Sequence, residues 1–307
     1  MSSSQGQRQG TNVPDSASLR QALQVPWLFV VVALVFYGVV MIYPSIAGTM
    51  YAFTDWSGIG QYKFIGLGNF RKVAGDSEAG ASLRNTVFLA ASTTVLQNLL
   101  GLSLALALNR PNKLNSFLRP IFVAPVLLAP VVAAVIWQYI YSPEGALNAV
   151  LGMLQLRTLQ NAWLGDPSTA LWVVAFTVVW QFAGLTMLIY MAGLQAIPKE
   201  LYDAAGIDGA GTWRQFRDIT MPLLAPAMTV NILLPFIGGL KLFDQVLVMT
   251  GGGPGYSTQT VALMIYRQAF VLGDFAYSTA LAVVLTIGVA LAAVVQLIVL
   301  RRREVKT

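Results

Sequence analysis

Chemistry at a protein site needs groups that titrate, ligate or attack, and this chain is short of them. Among its 307 residues there is no histidine and no cysteine. That removes the commonest metal ligand and general base, together with thiol and disulfide chemistry. No metal site is expected. Gly251-Gly252-Gly253-Pro254 has the glycines of a phosphate loop but not the Lys and Ser/Thr that must follow them. No residue is therefore expected to be catalytic, since phosphoryl transfer needs such a loop and metal ligands. What the apolar segments do carry is a set of amides and indoles: Gln97 and Asn98, Trp137 and Gln138, Trp180 and Gln181, and Asn231. Aromatic faces cover C–H surfaces while amides hydrogen-bond hydroxyls, so these types suit a polyhydroxylated solute. The same residues have structural uses. Amides act as glue between membrane helices, and Trp at helix ends belongs to the interfacial belt.

The elements that must position them are membrane spans. With 56% hydrophobic and 10% charged residues and a mean hydropathy of +0.65, the composition is that of an integral membrane protein. Six apolar runs are each long enough to cross about 30 Å of hydrocarbon as a helix. They are Trp27–Gly48, Asn85–Leu108, Pro120–Tyr141, Ala170–Leu194, Leu223–Leu240 and Tyr277–Leu300, none with a charge in its interior. Residues 1–25, rich in Ser, Gln and Gly, read as a disordered tail without a signal peptide's pattern. Residues 26–303 read as one membrane domain and 304–307 as a short second tail.

Orientation follows from Lys and Arg. With the N-terminus inside, 12 of the 19 basic residues fall in the shorter cytoplasmic pieces, most densely at Arg301–Arg303. Both termini are then cytoplasmic. The net charge of +6 is a matter of topology. The basic residues flank spans and form no patch with interleaved aromatics, so no nucleic-acid partner is expected.

This orientation puts Ile197–Pro222, IPKELYDAAGIDGAGTWRQFRDITMP, in the cytoplasm. Pro198 suits a helix start, and Glu200 and Asp203 complement the dipole of its first turns. Leu201, Ala204, Ala205 and Ile207 recur at roughly helical spacing. Gly206, Gly209 and Gly211 are expected to interrupt that helix and permit a tight turn. A second short helix from Thr212 can present Trp213, Phe216 and Ile219 on one face, with Pro222 ending the stretch. Some 25 ordered residues between two spans is long for a connection. The segment reads either as an ordered loop or as a docking surface.

Asp203-Ala204-Ala205, then Gly209 after three residues, then Ile219 and Pro222 after nine more, resembles the EAA signature of binding-protein-dependent ABC importer permeases. Asp203 stands for the usual Glu and Met221 for the usual Leu; every spacing is kept. Phe64-Ile65-Gly66-Leu67-Gly68-Asn69-Phe70 is similar to the F-x-G-L-x-N-F stretch of the carbohydrate-uptake branch, the maltose, lactose and multiple-sugar type. Leu240-Lys241-Leu242-Phe243-Asp244 leading to Thr250-Gly251-Gly252-Gly253-Pro254 is similar to its L-K-x-F-D … T-G-G-G-P.

The resemblance covers roughly residues 27–300 and implies an all-α type I importer permease in the bacterial plasma membrane, with six helices and a cytoplasmic coupling helix. It implies a heterodimer with a second permease, two copies of a cytoplasmic ATPase that use ATP and Mg, and an extracytoplasmic solute-binding protein. The coupling residues would be Glu200, Asp203, Ala204, Ala205, Asp208, Gly209, Ala210, Trp213, Phe216 and Pro222. Family sugar contacts map onto Gln181, Phe182 and Leu185, and onto Gly238, Gly239 and Leu242; Trp180 and Asn231 join them by residue type. Lys241 and Asp244, three positions apart, are expected to pair on one helix face. A permease for glycerol phosphate or another polar solute is the nearest alternative. An ion-coupled carrier is a rival from another class, but such carriers usually place ionisable groups inside the membrane.

Overall fold

The computed structural model describes residues 27–301; the expected tails, 1–25 and 304–307, lie outside them. The chain divides into two compact units, Met1–Met50 and Tyr51–Thr307. The first holds all but the last residue of the apolar helix α1, Phe29–Tyr51. Pro44 has no N–H to give to the preceding turn, and the ladder just before it is re-laid as a π turn over Gly38–Ile42.

In the second unit, a short helix α2 (Gly68–Gly75) precedes α3 (Ser77–Leu108). The loop before α2 is ordered: Asn69 Nδ2 donates to the carbonyls of Ala52 and Thr54 at 2.9 and 2.8 Å. The second span was expected from Asn85 and begins at Ser77. Asp76 caps the helix by accepting from Glu78 N at 2.8 Å, and Glu78 sits in the first turn. Capping and dipole rather than hydropathy set that end.

The third span is not a straight helix from Pro120 to Tyr141. It is α4 (Lys113–Val123), carried on by a 3₁₀ turn to Leu127, and α5 (Pro130–Ile140), meeting at 101°. The residue before a proline is pushed out of the helical region, and Ala129 before Pro130 is extended, ψ 140°. A short helix α6 (Ala146–Met153) follows, and then α7 (Ala170–Gln195).

The segment α8 (Lys199–Ile207) and α9 (Thr212–Leu223) leads into α10 (Ala225–Leu240), bent from α9 by 66°. The polar stretch therefore does not stop at Pro222; its second helix runs on to the start of the fifth span. Beyond α10 come α11 (Asp244–Met249), the irregular Gly251–Pro254 turn, α12 (Val261–Tyr266) and α13 (Phe275–Arg301). The described residues thus hold four continuous apolar helices of spanning length, or six spans if each bent pair counts as one. The described fold is all-α, apart from one isolated bridge between Thr54 and Phe64.

The helix α7 is the mast. Some 61% of its most apolar window is buried, against 33% for α3 and none for α13. Toward the end bearing α11, a core of Leu89, Ala134, Val174, Val178 and Val246 joins α3, α5, α7 and α11. Toward the 197–222 end, Ala105, Met187, Tyr190, Leu194 and Leu224 form a second core.

Candidate functional site

A cavity of about 360 Å³ opens between α3, α7, α10 and α11, within the size range of small-molecule sites. Its walls are apolar: Val178, Phe182, Leu185 and Ile189 from α7, and Leu234 and Pro235 from α10. Its polar groups are Gln97, Thr186, Asn231, Lys241, Asp244 and Gln245. One glycine sets how closely two of the walls approach. A Cβ on Gly239 would stand 2.5 Å from Ala90 Cα, so only the missing side chain lets α10 lie against α3.

Amides fasten the frame. Asn98 Nδ2 donates to the carbonyls of Thr94 and Asn231, each at 2.8 Å, and accepts at Oδ1 from the Tyr190 hydroxyl. Asn231 Nδ2 donates to Thr186 O at 3.2 Å. Three helices are locked by two asparagines. Gln181, fully buried, donates from Nε2 to Leu128 O at 3.0 Å and accepts from Gln245 Nε2 at 3.1 Å. Leu128 lies in the α4–α5 break, so Gln181 satisfies a carbonyl that the bend frees from helix bonding. Gln97 is only 3% exposed, yet its amide makes no hydrogen bond among the described residues.

At the opposite end of the bundle, α8 has Pro198 as its extended N-cap and Glu200 in its first turn. Gly206 lies inside the helix and does not interrupt it. The turn is made at Gly209, φ +74°. Ala210 N donates to Ala205 O at 2.8 Å and Gly209 N to Gly206 O at 3.1 Å, the paired closure of a helix end that needs a left-handed residue. The Tyr202 hydroxyl lies 2.9 Å from Thr220 Oγ1 and binds α8 to α9. Tyr202 and Ile219 pack onto the second core. Outward, Ile207 is 88% and Trp213 71% exposed, with the Trp213 ring 5.7 Å from Phe216.

Residues 97–305 match the family model described as "Binding-protein-dependent transport system inner membrane component". The chain belongs to that family. It is 36% identical over 280 residues, 91% of this chain and 95% of the relative, to the "Probable starch degradation products transport system permease protein AmyD" of Thermoanaerobacterium thermosulfurigenes. It is 30% identical, over 91% of this chain and 96% of the relative, to the "Multiple sugar-binding transport system permease protein MsmF" of Streptococcus mutans. The fold is similar to a chain in the "Crystal structure of a bacterial ABC transporter involved in the import of the acidic polysaccharide alginate". The TM-score there is 0.78 at 19% identity, covering 93% of this chain and 99% of that one.

In this permease the expected solute residues divide. Phe182, Leu185, Asn231, Gly238, Gly239 and Leu242 line the cavity. Trp180 and Gln181 do not: Trp180 packs edge-on to Trp137 at 5.3 Å, and Gln181 is spent on the α4–α5 break and α11. The expected pairing of Lys241 with Asp244 is not made. The helix α10 stops at Leu240, Lys241 lies in the following turn and Asp244 opens α11, so the two never share a helix face. Both line the cavity instead. Gln245 went unread, although it is the one amide in DQVLVM and could have been marked by that. Of the expected coupling residues, Glu200, Asp203, Ala204, Asp208, Gly209 and Trp213 are exposed, while Ala205, Ala210, Phe216 and Pro222 are half-buried.

Proposed function

We propose that this permease forms, with a second homologous permease, the membrane path of an ATP-driven importer for a neutral di- or oligosaccharide. The solute arrives on an extracytoplasmic binding protein. Two copies of a cytoplasmic ATPase hydrolyse ATP with Mg, and this chain binds neither. It lies in the plasma membrane with both termini in the cytoplasm, so that 197–222 faces the ATPase. ATP-driven closure of the ATPase dimer pushes α8 and α9 as a lever, and the two permeases rock to expose the cavity to alternate sides.

The observation that carries this reading is the 197–222 surface. Ile207 and Trp213 stand almost bare on a segment held rigid by the Gly209 turn and the Tyr202–Thr220 bond. Large apolar side chains fixed outward on a polar segment mark a protein-binding site. The names of the relatives support a sugar as solute. So does the cavity, in which Lys241 is matched by Asp244 and no surplus positive charge is present for a phosphorylated solute.

The test is ATPase activity of the reconstituted complex, with binding protein preloaded from a panel of oligosaccharides and polyol phosphates. Stimulation by one neutral sugar is the expected result. Uptake that follows a proton or sodium gradient with no ATPase attached would replace the reading by that of an ion-coupled carrier.

A further inference from the structure

A second cavity, of about 550 Å³, lies at the 197–222 end, where the turn after α3 meets the start of α8. Its charged lining is entirely basic: Arg110, Arg119 and Lys199, with no Asp or Glu. Among the described residues none of the three forms a salt bridge. Tyr202 and Ile197 add an apolar wall.

Cations gathered without counter-charge repel one another and need a reason to be held together. Arg119 has one. Its Nε and Nη2 donate to Leu108 O at 3.1 and 2.7 Å and Nη2 to Asn109 O at 3.3 Å, closing the C-terminus of α3. Asn115 Nδ2 adds a bond to Arg110 O at 2.9 Å. The backbone that carries Arg110 is thereby fixed, while the Arg110 side chain is exposed and makes no hydrogen bond among the described residues. Lys199, in the first turn of α8, lines the same cavity and likewise makes no side-chain hydrogen bond or salt bridge among the described residues. A further polar group in the lining is unspent: Asn109 Oδ1 is buried with no hydrogen-bond partner. A half-turn of that amide would offer its NH₂ as a donor.

We infer that this cavity binds a phosphate ester, held between Arg110 and Lys199 with the apolar wall against its organic part. A phosphate oxygen set accepts from a guanidinium and an ammonium at once, which would clip the α3–α4 turn to the first turn of α8. Two sources share this chemistry. One is the headgroup of an anionic phospholipid, which basic pockets beside membrane helices accept; the other is a free soluble phosphate. The inference does not depend on the importer reading, because binding is measured without transport.

The experiment uses the full chain in nanodiscs. In one arm the discs are phosphatidylcholine with graded phosphatidylglycerol, and retained lipid is counted by native mass spectrometry after detergent washing. In the other the discs are phosphatidylcholine alone, and inorganic phosphate is titrated by calorimetry. Saturable binding in either arm supports the site and identifies the source. Arg110→Gln and Lys199→Gln are each expected to weaken it about tenfold. Lys113→Gln removes a nearby charge outside the lining and is expected to leave it unchanged. Saturable binding in neither arm overturns the inference. Equal weakening by Lys113→Gln also overturns it, since the attraction would then be a diffuse surface field.

Discussion

Around the cavity between α3, α7, α10 and α11, the frame is fastened by amides bonded to carbonyls of neighbouring helices. Along 197–222, Tyr202 and Ile219 pack onto the bundle while Ile207 and Trp213 point outward. Asn98, Asn231 and Gln181 spend their amides on carbonyls of neighbouring helices, while Ile207 and Trp213 stay bare. Both arrangements are costly in an isolated chain. Amides in an apolar bundle cost free energy until they are bonded, and bare apolar groups in water cost about 25 cal/mol per Å². The fastening amides meet that cost within the bundle. The 197–222 segment meets it only when something covers it, which is the physical content of calling it a docking surface.

The sharpest way to break this contrast uses two adjacent glycines. Gly239→Leu drives its Cβ into Ala90 Cα, 2.5 Å away, and that backbone cannot yield without moving α3. Overpacking of this kind costs about 1–3 kcal/mol or more, so loss of folded yield and a lower melting temperature in detergent are expected. A Cβ on Gly238 meets no atom within 4 Å, so Gly238→Leu starts into open space. It is expected to fold at near wild-type stability and to lower uptake by filling the cavity. Equal melting temperatures for the two variants would show that α10 does not depend on this close approach.

Two glutamines sharpen it further. Gln181→Leu leaves Leu128 O and the Gln245 amide without partners, at about 1–3 kcal/mol for each buried group, so thermal stability falls. Gln97→Leu removes an amide that bonds nothing among the described residues. It is expected to keep stability within about 0.5 kcal/mol and to weaken solute-stimulated ATPase activity instead. If Gln97→Leu destabilised and Gln181→Leu did not, the division between binding and fastening amides would be reversed.

Gly209→Trp tests the other region. At φ +74° a side chain costs about 1–2 kcal/mol, and the α8–α9 turn is reshaped where the proposed lever would have to stay rigid. ATP hydrolysis is expected to continue with sugar uptake reduced severalfold. Wild-type uptake by a variant that still assembles would show that the turn transmits nothing.

What was legible in the sequence follows the same divide. The spans were legible because hydropathy reports a continuous property of a stretch. The 197–222 segment was legible because its turn needs particular residues at particular spacings. The breaks were not. Pro125, Pro130 and Pro226 say that a helical ladder is interrupted but not by what angle, and the 101° and 66° bends are fixed by packing. The cavity was half legible for a related reason. Gln97 and Gln181 are the same residue type in similar apolar surroundings, and only the carbonyl exposed at the α4–α5 break distinguishes them. Lys241 and Asp244 have the spacing of a helical pair, but the helix ends between them.

The smallest expected effect lies in the loop before α7, away from both regions. Asp166 accepts from Asn161 Nδ2 at 2.9 Å and from Ser168 N and Oγ, each at 2.8 Å. The Asn161 bond leads, followed by the two from Ser168, and together they hold the Asp166 carboxyl below its ordinary value of 3.8. A depressed carboxyl stabilises the fold fully above its unfolded pKa, and that contribution is lost as pH falls through the lower folded value. Hydrogen exchange across residues 157–169 is therefore expected to speed up as the pH is lowered from 5 toward about 3. In Asp166→Asn, which keeps the shape without the titration, the same segment is expected to exchange at a rate nearly independent of pH over that range, after correction for intrinsic exchange. An unchanged acid response in the variant would move the titrating group elsewhere. The cavity and the 197–222 segment, which contain none of these bonds, are expected to stay protected throughout, so the experiment also measures whether the loop opens independently of those two regions.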